Sequence, residues 1–405
     1  MFAVNSPWHK NTDLVVLSKS FTFKRISGIL LGVLFYFCLT ILNVIFKLRI
    51  GVLNSSRIGH FAANTELFLR RKYIQNEKKN EIQVFITDGK VANNQLLTMI
   101  KRKLHVIDNS FIIKIIKMSH MIFKSSSLWI EMPFRNNEYY EFSNICPQLS
   151  FTEEEEREGK ALLAKMEVSP EAPFVCFHAR DGLYLNKTLK GYDWSYHDYR
   201  DCKIENYLKA VEYLSSQKIF ALRIGYIVSE KISTNNPFII DYANNFRSEL
   251  GDVYLLAKCK FILACTAGIR LISSIFNIPI AAANIIPIGD LSLGKQDLVI
   301  FKKHWTKEKK RFLTFREIIS MKAEWWLTGE KFKKAGIEMI ENSPEEIFAL
   351  SREMNERLDG TWVNSEEDEY LQQRFKNLFP PEHLCFGFTS RVGTHFLREN
   401  KELLN

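Results

Sequence analysis

The sequence is poor in the residues that mark disulfide scaffolds, zinc sites and disordered chains. Its seven cysteines are odd in number and contain no Cys-x-x-Cys pair, which argues against zinc and favours a reducing compartment. Only 11 of 405 residues are proline, whereas 46% are hydrophobic and 13% aromatic. The chain can therefore bury enough apolar surface to fold, and its length suits two domains better than one.

Acidic residues are scarce in the first 125 positions. That part carries 6 Asp and Glu against 19 Lys and Arg, a net charge of +13, while the remainder carries 40 against 36, or −4. A basic N-terminal part is typical of proteins that bind nucleic acid, an anionic membrane surface or a phosphorylated substrate. No nucleic-acid recognition motif is present, so nucleic acid is the least favoured of the three.

Charge is absent altogether from residues 26–46, a run of 21 residues close to the roughly 20 that a helix needs to cross a bilayer. The run is long for a signal peptide, and no small-x-small cleavage site follows it. We expect a membrane-associated helix, either a single span or a helix lying in one leaflet, with a buried helix of a soluble fold as the third alternative. Lys24 and Arg25 precede it and Lys47 and Arg49 follow it, which leaves its orientation undecided.

Beyond residue 47, short hydrophobic runs alternate with helical patterns of about 10–13 residues, a rhythm typical of a parallel sheet covered by helices. The rhythm occurs twice, on either side of a polar stretch around residues 121–150. The predicted strands are 48–53, 81–87, 104–107, 173–179, 220–224, 261–264 and 280–283. The predicted helices are 62–71, 91–103, 203–216, 253–258 and 269–276. We therefore predict an α/β fold in which two Rossmann-like domains face each other across a cleft, preceded by a hydrophobic helix.

The predicted organisation has five parts. Two helix starts are marked by capping boxes, Thr152 with Glu155 and Ser343 with Glu346. The parts are a basic segment at 1–25, the hydrophobic helix at 26–46, an N-terminal Rossmann-like domain at 47–150, a C-terminal Rossmann-like domain at 151–335, and a helical segment at 336–405 that closes the fold.

Three motifs follow predicted strands, and the loops after parallel strands line ligand sites. The first is Arg57-Ile58-Gly59-His60. A glycine at such a turn lets backbone amides approach a phosphate or an oxyanion, so Arg57 and Gly59 are candidates for a phosphate or acceptor loop. His60 is suited to act as a general base. The alternative is a histidine at a helix end with no role beyond the fold.

The second motif is His178-Ala179-Arg180-Asp181. An arginine at the end of a buried strand can fork onto two phosphate oxygens. We expect Arg180 to neutralise phosphate, His178 to bind the same ligand, and Asp181 to orient Arg180 or accept from a sugar hydroxyl. The alternative is a buried Arg–Asp pair that only fixes the loop.

The third motif is Cys265-Thr266-Ala267-Gly268. Thr266 and Gly268 are suited to an anion cradle at a helix start, or they simply permit a tight turn. The full GxxxxGK[ST] pattern is absent, so a P-loop NTPase is not supported. We expect Arg223 and Arg247 to reach the same cleft, and Asp252 to cap the next helix.

Several stretches together resemble a bacterial family of glycosyltransferases found among surface-polysaccharide genes. They are RIGHFAANTELFLRR, FVCFHARD, HDYRD, IDYANNFRSELGDVYLLAKCKFILACTAG, LTFREI and RVGTHFLREN. The resemblance covers about residues 48–400. It implies a GT-B fold with the acceptor bound mainly by the first domain and the nucleotide-sugar donor mainly by the second. HARD also resembles the His-x-Arg segment of GDP-fucose-dependent fucosyltransferases, which implies that Arg180 contacts the donor diphosphate.

These observations predict a metal-independent glycosyltransferase, hexosyl- or fucosyltransferase-like, that passes a sugar from a nucleotide donor to a glycan or lipid-linked acceptor in surface-polysaccharide synthesis. His60 and Arg180 are the predicted catalytic residues. The predicted donor contacts are His178, Asp181, Arg223, Arg247, Thr266 and Gly268. We expect no cofactor, since the nucleotide-sugar is a co-substrate, no metal, since no Asp-x-Asp follows a strand, and no nucleic-acid partner. The membrane contact is assigned to residues 26–46, with the catalytic domains facing the cytoplasm.

Two other functions stay open at this point. A sugar-nucleotide epimerase on the same fold would need no acceptor, and would be expected to place carboxylates in the cleft. A catalytically silent membrane scaffold of a polysaccharide assembly complex would need no donor at all.

Overall fold

The computed structural model describes residues 19–75, 81–133, 141–183, 193–228, 230–291 and 294–405, with side chains described from Gly28 onward. Residues 1–18 of the predicted basic segment lie outside this set. The strands are β1 Leu48–Leu53, β2 Ile82–Thr87, β3 His105–Ile107, β4 Trp129–Ile130, β5 Phe174–His178, β6 Phe220–Arg223, β7 Ile239–Ile240, β8 Ile262–Ala264, β9 Ile280–Ile285, β10 Leu298–Phe301, β11 Lys303–Thr306, β12 Arg311–Phe312, β13 Ile337–Ile340 and β14 Arg391–Val392.

The helices, numbered in the same way, divide the chain between these strands. They are α1 Lys19–Phe46, α2 Ile58–Gln75, α3 Asn94–Lys101, α4 Ser110–Met118, α5 His120–Lys124, α6 Glu153–Lys165, α7 Glu205–Ser216, α8 Tyr242–Asn245, α9 Glu249–Lys258, α10 Arg270–Ile275, α11 Phe315–Ser320, α12 Gly329–Lys334, α13 Pro344–Leu358, α14 Glu366–Lys376 and α15 Thr394–Glu399. Short 3₁₀ helices occur at Ser195–Arg200, Ala323–Trp325 and Lys401–Leu404.

The described residues form two compact units that interleave along the chain. Unit 1 takes its residues from Met1–Leu53, Lys78–Gly89 and Leu104–Glu131, and unit 2 takes its residues from Asn54–Glu77, Lys90–Lys103 and Met132–Asn405. The boundaries predicted at residues 47, 150 and 335 stay a prediction.

Unit 1 is a parallel four-stranded sheet in the order β3-β2-β1-β4. Its apolar core joins Leu39 of α1 to Ile50 and Val52 of β1 and to Phe123 of α5. The strand over residues 48–53 was predicted from its hydrophobic run and is confirmed. Residues Gly28–Phe46 of α1 are long and apolar enough to cross a membrane, and only 6% of that apolar stretch is buried.

Unit 2 is built on a seven-stranded sheet in the order β14-β10-β9-β8-β5-β6-β7, in which every pair is parallel. Strands β8, β9 and β10 are buried at every position, as expected for a parallel sheet covered on both faces. A small antiparallel sheet, β12-β11-β13, adds to this unit. The prediction of an α/β fold with parallel sheets is confirmed.

Helix boundaries were predicted less well than strands. The helix predicted at 62–71 begins at Ile58, so the stretch around His60 belongs to the first turn of α2 and not to a loop. The helix predicted at 253–258 begins at Glu249, and its N-cap is Ser248, whose side chain accepts from the Gly251 amide. The prediction that Asp252 caps this helix was therefore wrong. The capping boxes at Thr152 and Ser343 are confirmed.

Arg70 fixes the far end of α2 within unit 2. Its side chain is fully buried and pairs with Glu66 one turn earlier, at 2.8 Å. It also donates to four other acceptors: the backbone oxygens of Ile275, Phe142 and Ile145 at 2.6 Å each, and the side-chain oxygen of Asn277 at 3.1 Å. One guanidinium thus ties α2 to the end of α10 and to the segment around residue 142.

We expect Arg70→Met to lower the free energy of unfolding by about 3–5 kcal/mol, because it leaves the Glu66 carboxylate and several carbonyls buried without a donor. Urea unfolding measures the change. The matched control is Arg157→Met, since Arg157 pairs with Glu154 on the surface with both side chains more than half exposed, and it should cost less than about 1 kcal/mol. Equal effects of the two substitutions on the free energy of unfolding would contradict the structural role given to Arg70.

Candidate functional site

The three sequence motifs meet in unit 2 at the carboxyl end of the large sheet. Strands β6, β5 and β8 are neighbours, and the register pairs Phe177 with Arg223 and His178 with Ala264. The loops that follow these strands therefore leave the sheet at the same edge. This is where an open parallel sheet holds its ligands.

Arg180 is held in place by the loop that contains the 3₁₀ helix Ser195–Arg200. Its guanidinium forms an ion pair with Asp201 and donates to the backbone oxygen of His197 at 3.3 Å. Its amide donates to the Cys265 sulfur at 3.1 Å, which joins the second motif to the third. Lys302, at the end of β10, donates to the Asp201 backbone oxygen at 2.5 Å. The carboxylate that pairs with Arg180 is therefore Asp201, which lies outside the motif His178–Asp181.

Two more arginines, Arg57 and Arg200, act on His197 together with Arg180. The pKa of His197 is lowered to about 2, first by burial and then by the positive charges of Arg200, Arg57 and Arg180. Neither Arg57 nor Arg200 forms an ion pair within the described part of the chain. The Asp198 carboxylate acts on Arg180, so at this site the guanidinium groups without an ion-pair partner among the described residues are those of Arg57 and Arg200.

A buried pair of aromatic rings, Trp194 and His197, accompanies the arginines. The Trp194 ring lies nearly parallel to His197, with centroids 6.2 Å apart and planes at 9°, and the Arg57 guanidinium sits 5.3 Å from the Trp194 centroid. His197 is 7% exposed, and its Nδ1 has no hydrogen-bond partner among the described residues. Such a combination of π faces and cations suits an anionic ligand that also has a planar or sugar ring.

His60 lies on the first turn of α2 beside this charge. Its pKa is lowered to about 4, mainly by burial, with the charges of Arg57 and Arg200 adding to the effect, while Asn64 and Asp290 oppose it. The imidazole is therefore neutral at pH 7 and able to accept a proton. The structure brings His60 to the arginines, as a base near an anion site requires.

Gly59 and Gly268 explain how the first motif reaches the third. A Cβ on Gly59 would lie 2.7 Å from the Gly268 Cα and 2.9 Å from its carbonyl oxygen, and one on Gly268 would lie 3.2 Å from the Gly59 nitrogen. Backbone touches backbone here, so neither residue can carry a side chain without movement. The start of α2 is thus pressed against the loop after β8.

His178 and Asp181 are engaged locally. His178 Nδ1 donates to the Ile224 backbone oxygen at 2.8 Å, which leaves Nε2 as the acceptor of a neutral ring, and burial lowers its pKa. Asp181 accepts from the Leu183 amide at 3.1 Å, a bond that shapes its own loop. His178 is the last residue of β5 and Asp181 follows it, at the same strand exit as Arg180.

Three other predicted donor contacts serve the fold. Thr266 accepts from the Ile286 amide at 2.9 Å. Arg223 is 3% exposed, donates to the Glu230 backbone oxygen and lies 3.5 Å from Asp241. Arg247 pairs with Asp252 at 2.7 Å, and its guanidinium lies 3.8 Å from the Tyr226 ring centroid. These contacts favour structural roles, and the predicted donor contacts of these residues stay untested.

Arg200, His197, Trp194 and Asp201 all belong to the stretch WSYHDYRD. Its mixture of aromatic and polar residues is typical of sugar and base sites and equally of surface loops, and because it follows no strand directly, the sequence does not mark any one of its residues. Among the described residues, no group of three or more His, Cys, Asp or Glu side chains could hold a metal ion. Metal independence remains a prediction.

Comparisons with known proteins add little. No family model and no curated protein sequence matches the chain. Each of the following solved structures aligns with 58% of this chain. A family 9 glycosyl transferase from Veillonella parvula DSM 2008 has 10% identity, TM-score 0.40 and 79% of its own length covered. ADP-heptose LPS heptosyltransferase II from E. coli has 14% identity, a TM-score of 0.35 and 84% of its own length covered. The heptosyltransferase TibC, in complex with ADP-D-β-D-heptose, has 7% identity, a TM-score of 0.30 and 59% of its own length covered. TM-scores below 0.5 do not establish a shared fold.

We expect Gly59→Ala to lower the free energy of unfolding by about 1–3 kcal/mol, because its Cβ meets backbone that has no rotamer to yield. Chemical denaturation measures the loss. Gly329→Ala is the matched control: a Cβ there meets nothing nearer than 3.7 Å, and alanine suits a helix better than glycine. If Gly59→Ala is as stable as Gly329→Ala, the close approach of Gly59 and Gly268 is not a constraint.

Proposed function

We propose that the chain is a glycosyltransferase whose arginine cluster, defined as Arg57, Arg180 and Arg200, binds the diphosphate of a nucleotide-sugar donor. The observation that supports this most directly is the unbalanced charge: Arg57 and Arg200 have no ion-pair partner among the described residues and act on the same buried ring as Arg180. Holding like charges together costs free energy unless an anion joins them. A diphosphate at the carboxyl end of a parallel sheet is such an anion.

The reaction follows from where charge develops. As the bond between the anomeric carbon and the diphosphate oxygen breaks, negative charge builds on the leaving group, and fixed guanidinium groups stabilise it. An acceptor hydroxyl forms the new bond to the anomeric carbon and gives its proton to His60. We assign no metal to this step, because the three arginines take the place that a bound cation would have.

His60 is suited to this role through the same electrostatics. In the free protein, burial and two nearby cations keep the ring neutral, with a pKa of about 4. A bound diphosphate places negative charge beside those cations and raises the pKa of His60 from that low value. The base is therefore unprotonated before the donor arrives and gains proton affinity once it is bound.

Other residues have supporting roles in this proposal. We assign the Trp194 face, with Arg57 beside it, to the sugar or the base of the donor, and His178 Nε2 to a donor hydroxyl. The glycine pair brings backbone close to the diphosphate. The acceptor is a glycan or a lipid-linked sugar of a surface polysaccharide, with the membrane contacted through residues 26–46 and the catalytic residues facing the cytoplasm.

The test is donor binding by an Arg200→Gln variant. Thermal shifts with GDP-, UDP-, CMP- and dTDP-linked sugars identify the donor, because a ligand of the folded state raises its stability. We expect Arg200→Gln to bind that donor about 10- to 100-fold more weakly, yet to unfold at the same or a higher temperature, since it removes repulsion from Arg57 and Arg180. Calorimetric titration in EDTA measures the affinity. The control Arg316→Gln removes one exposed charge elsewhere.

The outcomes separate the rival functions. Unchanged donor binding in Arg200→Gln would reject the arginine cluster as the diphosphate site. No thermal shift with any sugar nucleotide would reject the enzyme and leave a membrane scaffold. Conversion of the sugar nucleotide without any acceptor would identify an epimerase. A donor that binds only when Mn²⁺ or Mg²⁺ is restored would contradict the metal-free mechanism.

The pH dependence of kcat/KM tests His60 separately. Because His60 must be neutral, activity should fall as pH drops through about 4, the pKa in the free protein. We expect Arg57→Gln to move this acid limb to higher pH, since Arg57 lowers the pKa of His60. Two results would show that another residue is the base. One is an acid limb of the wild-type kcat/KM profile near the ordinary histidine pKa of about 6.5. The other is an acid limb that Arg57→Gln does not move.

A further inference from the structure

One face of α1 packs within unit 1. A Cβ on Gly32 would come within 2.5 Å of Ser119, and one on Gly28 would collide with Met118. Phe35 and Tyr36 lie against the Phe123 ring, with centroids 6.4 and 5.5 Å away. One turn further, Leu39 enters the core beside the sheet. Positions 28, 32, 35, 36 and 39 share one helical face, so this contact runs for about 16 Å along the helix.

The remaining surface of α1 is exposed and apolar. Between residues 28 and 46 it contains no charged residue. Its exposed large side chains are Ile29, Leu30, Leu31, Leu34, Phe37, Ile41, Leu42, Val44, Ile45 and Phe46. The hydroxyl of Thr40 donates to the backbone oxygen of Tyr36, one turn earlier in the same helix, at 2.9 Å. This bond satisfies the hydroxyl within the helix, as occurs for Ser and Thr in membrane helices. An ordinary sheet-covering helix of a soluble protein exposes polar residues on this face.

The packed face is incompatible with a perpendicular span. If unit 1 stays outside the hydrocarbon, residues 40–46 are the part of the described apolar stretch 28–46 that remains free. They form about 10 Å of helix, against a hydrocarbon core of about 30 Å. If α1 spans in full, the strands and turns packed against it enter the lipid, where an open sheet edge does not occur. The helix can be apolar and exposed without spanning only if it lies along a surface.

Charge at the two ends identifies that surface. Lys24 and Arg25 precede the apolar stretch, and the exposed Lys47 follows it. In a helix lying in the membrane plane, both ends meet the headgroups of one leaflet, so basic residues at both ends are favourable. A second copy of the chain would place these like charges against each other in a parallel or an antiparallel pair. Moreover, the small-residue face of Gly28 and Gly32, the face best suited to a partner helix, is occupied by the end of α4.

We propose that α1 is a monotopic helix: its exposed face lies in the plane of one anionic leaflet while its opposite face stays packed in unit 1. The partner is a lipid surface rather than a second chain. This inference depends on unit 1 alone, and it stands or falls independently of glycosyl transfer.

Vesicle flotation of the full chain tests the surface. We expect binding to vesicles that mix phosphatidylcholine with the anionic lipid phosphatidylglycerol, and weaker binding to phosphatidylcholine alone. In Leu34→Glu/Ile41→Glu we expect a loss of binding of at least about 100-fold. Both residues are exposed, so the variant should keep its circular dichroism and melting temperature. The control Val363→Glu/Leu384→Glu changes two equally exposed apolar residues of unit 2 and should float like the wild type.

Protease access distinguishes lying from spanning. With an epitope at each terminus and protein added to preformed vesicles, we expect external protease to remove both epitopes. Protection of the N-terminal epitope alone would show a span and overturn the proposal. The proposal would also be overturned if Leu34→Glu/Ile41→Glu floats like the wild type. It would be overturned as well if the wild type is a dimer that does not bind vesicles and this variant is a monomer, because a second copy of the chain would then cover α1.

Discussion

The site in unit 2 depends on how firmly α2 is attached to α10 and the loop before it. At its start, the backbones of Gly59 and Gly268 touch, and near its end Arg70 donates to the Ile275 carbonyl at the end of α10. Between these two attachments α2 has no freedom to shift along its neighbour. The position of His60 relative to the arginine cluster is therefore set by packing, before any ligand is bound. Preorganisation of this kind is what electrostatic stabilisation of a transition state requires.

Charge imbalance then sets the chemistry. Asp201 pairs with Arg180, and Arg270 pairs with Asp290 at 2.8 Å. Among the described residues, Arg57 and Arg200 have no ion-pair partner. Their field and burial keep both His60 and His197 neutral. The same field favours an incoming anion, so one arrangement accounts for ligand attraction and for an unprotonated base. A carboxylate paired with Arg200 would balance its charge, and would weaken both the attraction of an anionic ligand and the effect that keeps the base unprotonated.

The fold was predictable wherever burial governs the pattern. The strands of the large sheet are continuous hydrophobic runs between turns, and a run such as FILA is typical of a strand inside a parallel sheet that is covered on both faces. The site was predictable at strand exits, as for Arg180, because topology alone gathers those positions. Arg200 could not be found in this way, since its position depends on the tertiary course of a long loop. For Arg223 the sequence leaves two roles open, because a strand-end arginine that binds a ligand and a buried arginine that serves the fold look the same in sequence.

For the apolar run at 26–46, the sequence predicted the helix but not the face by which it packs. Composition reports how much apolar surface a helix has, but not which face packs against its own domain. Gly28 and Gly32 were the available signal, because glycines four residues apart allow another element to approach the helix closely. Here that element is the end of α4, so a motif associated with helix pairing in membranes is used inside unit 1. In the proposed monotopic arrangement, basic residues at both ends of the run are favourable, because both ends would meet the headgroups of one leaflet.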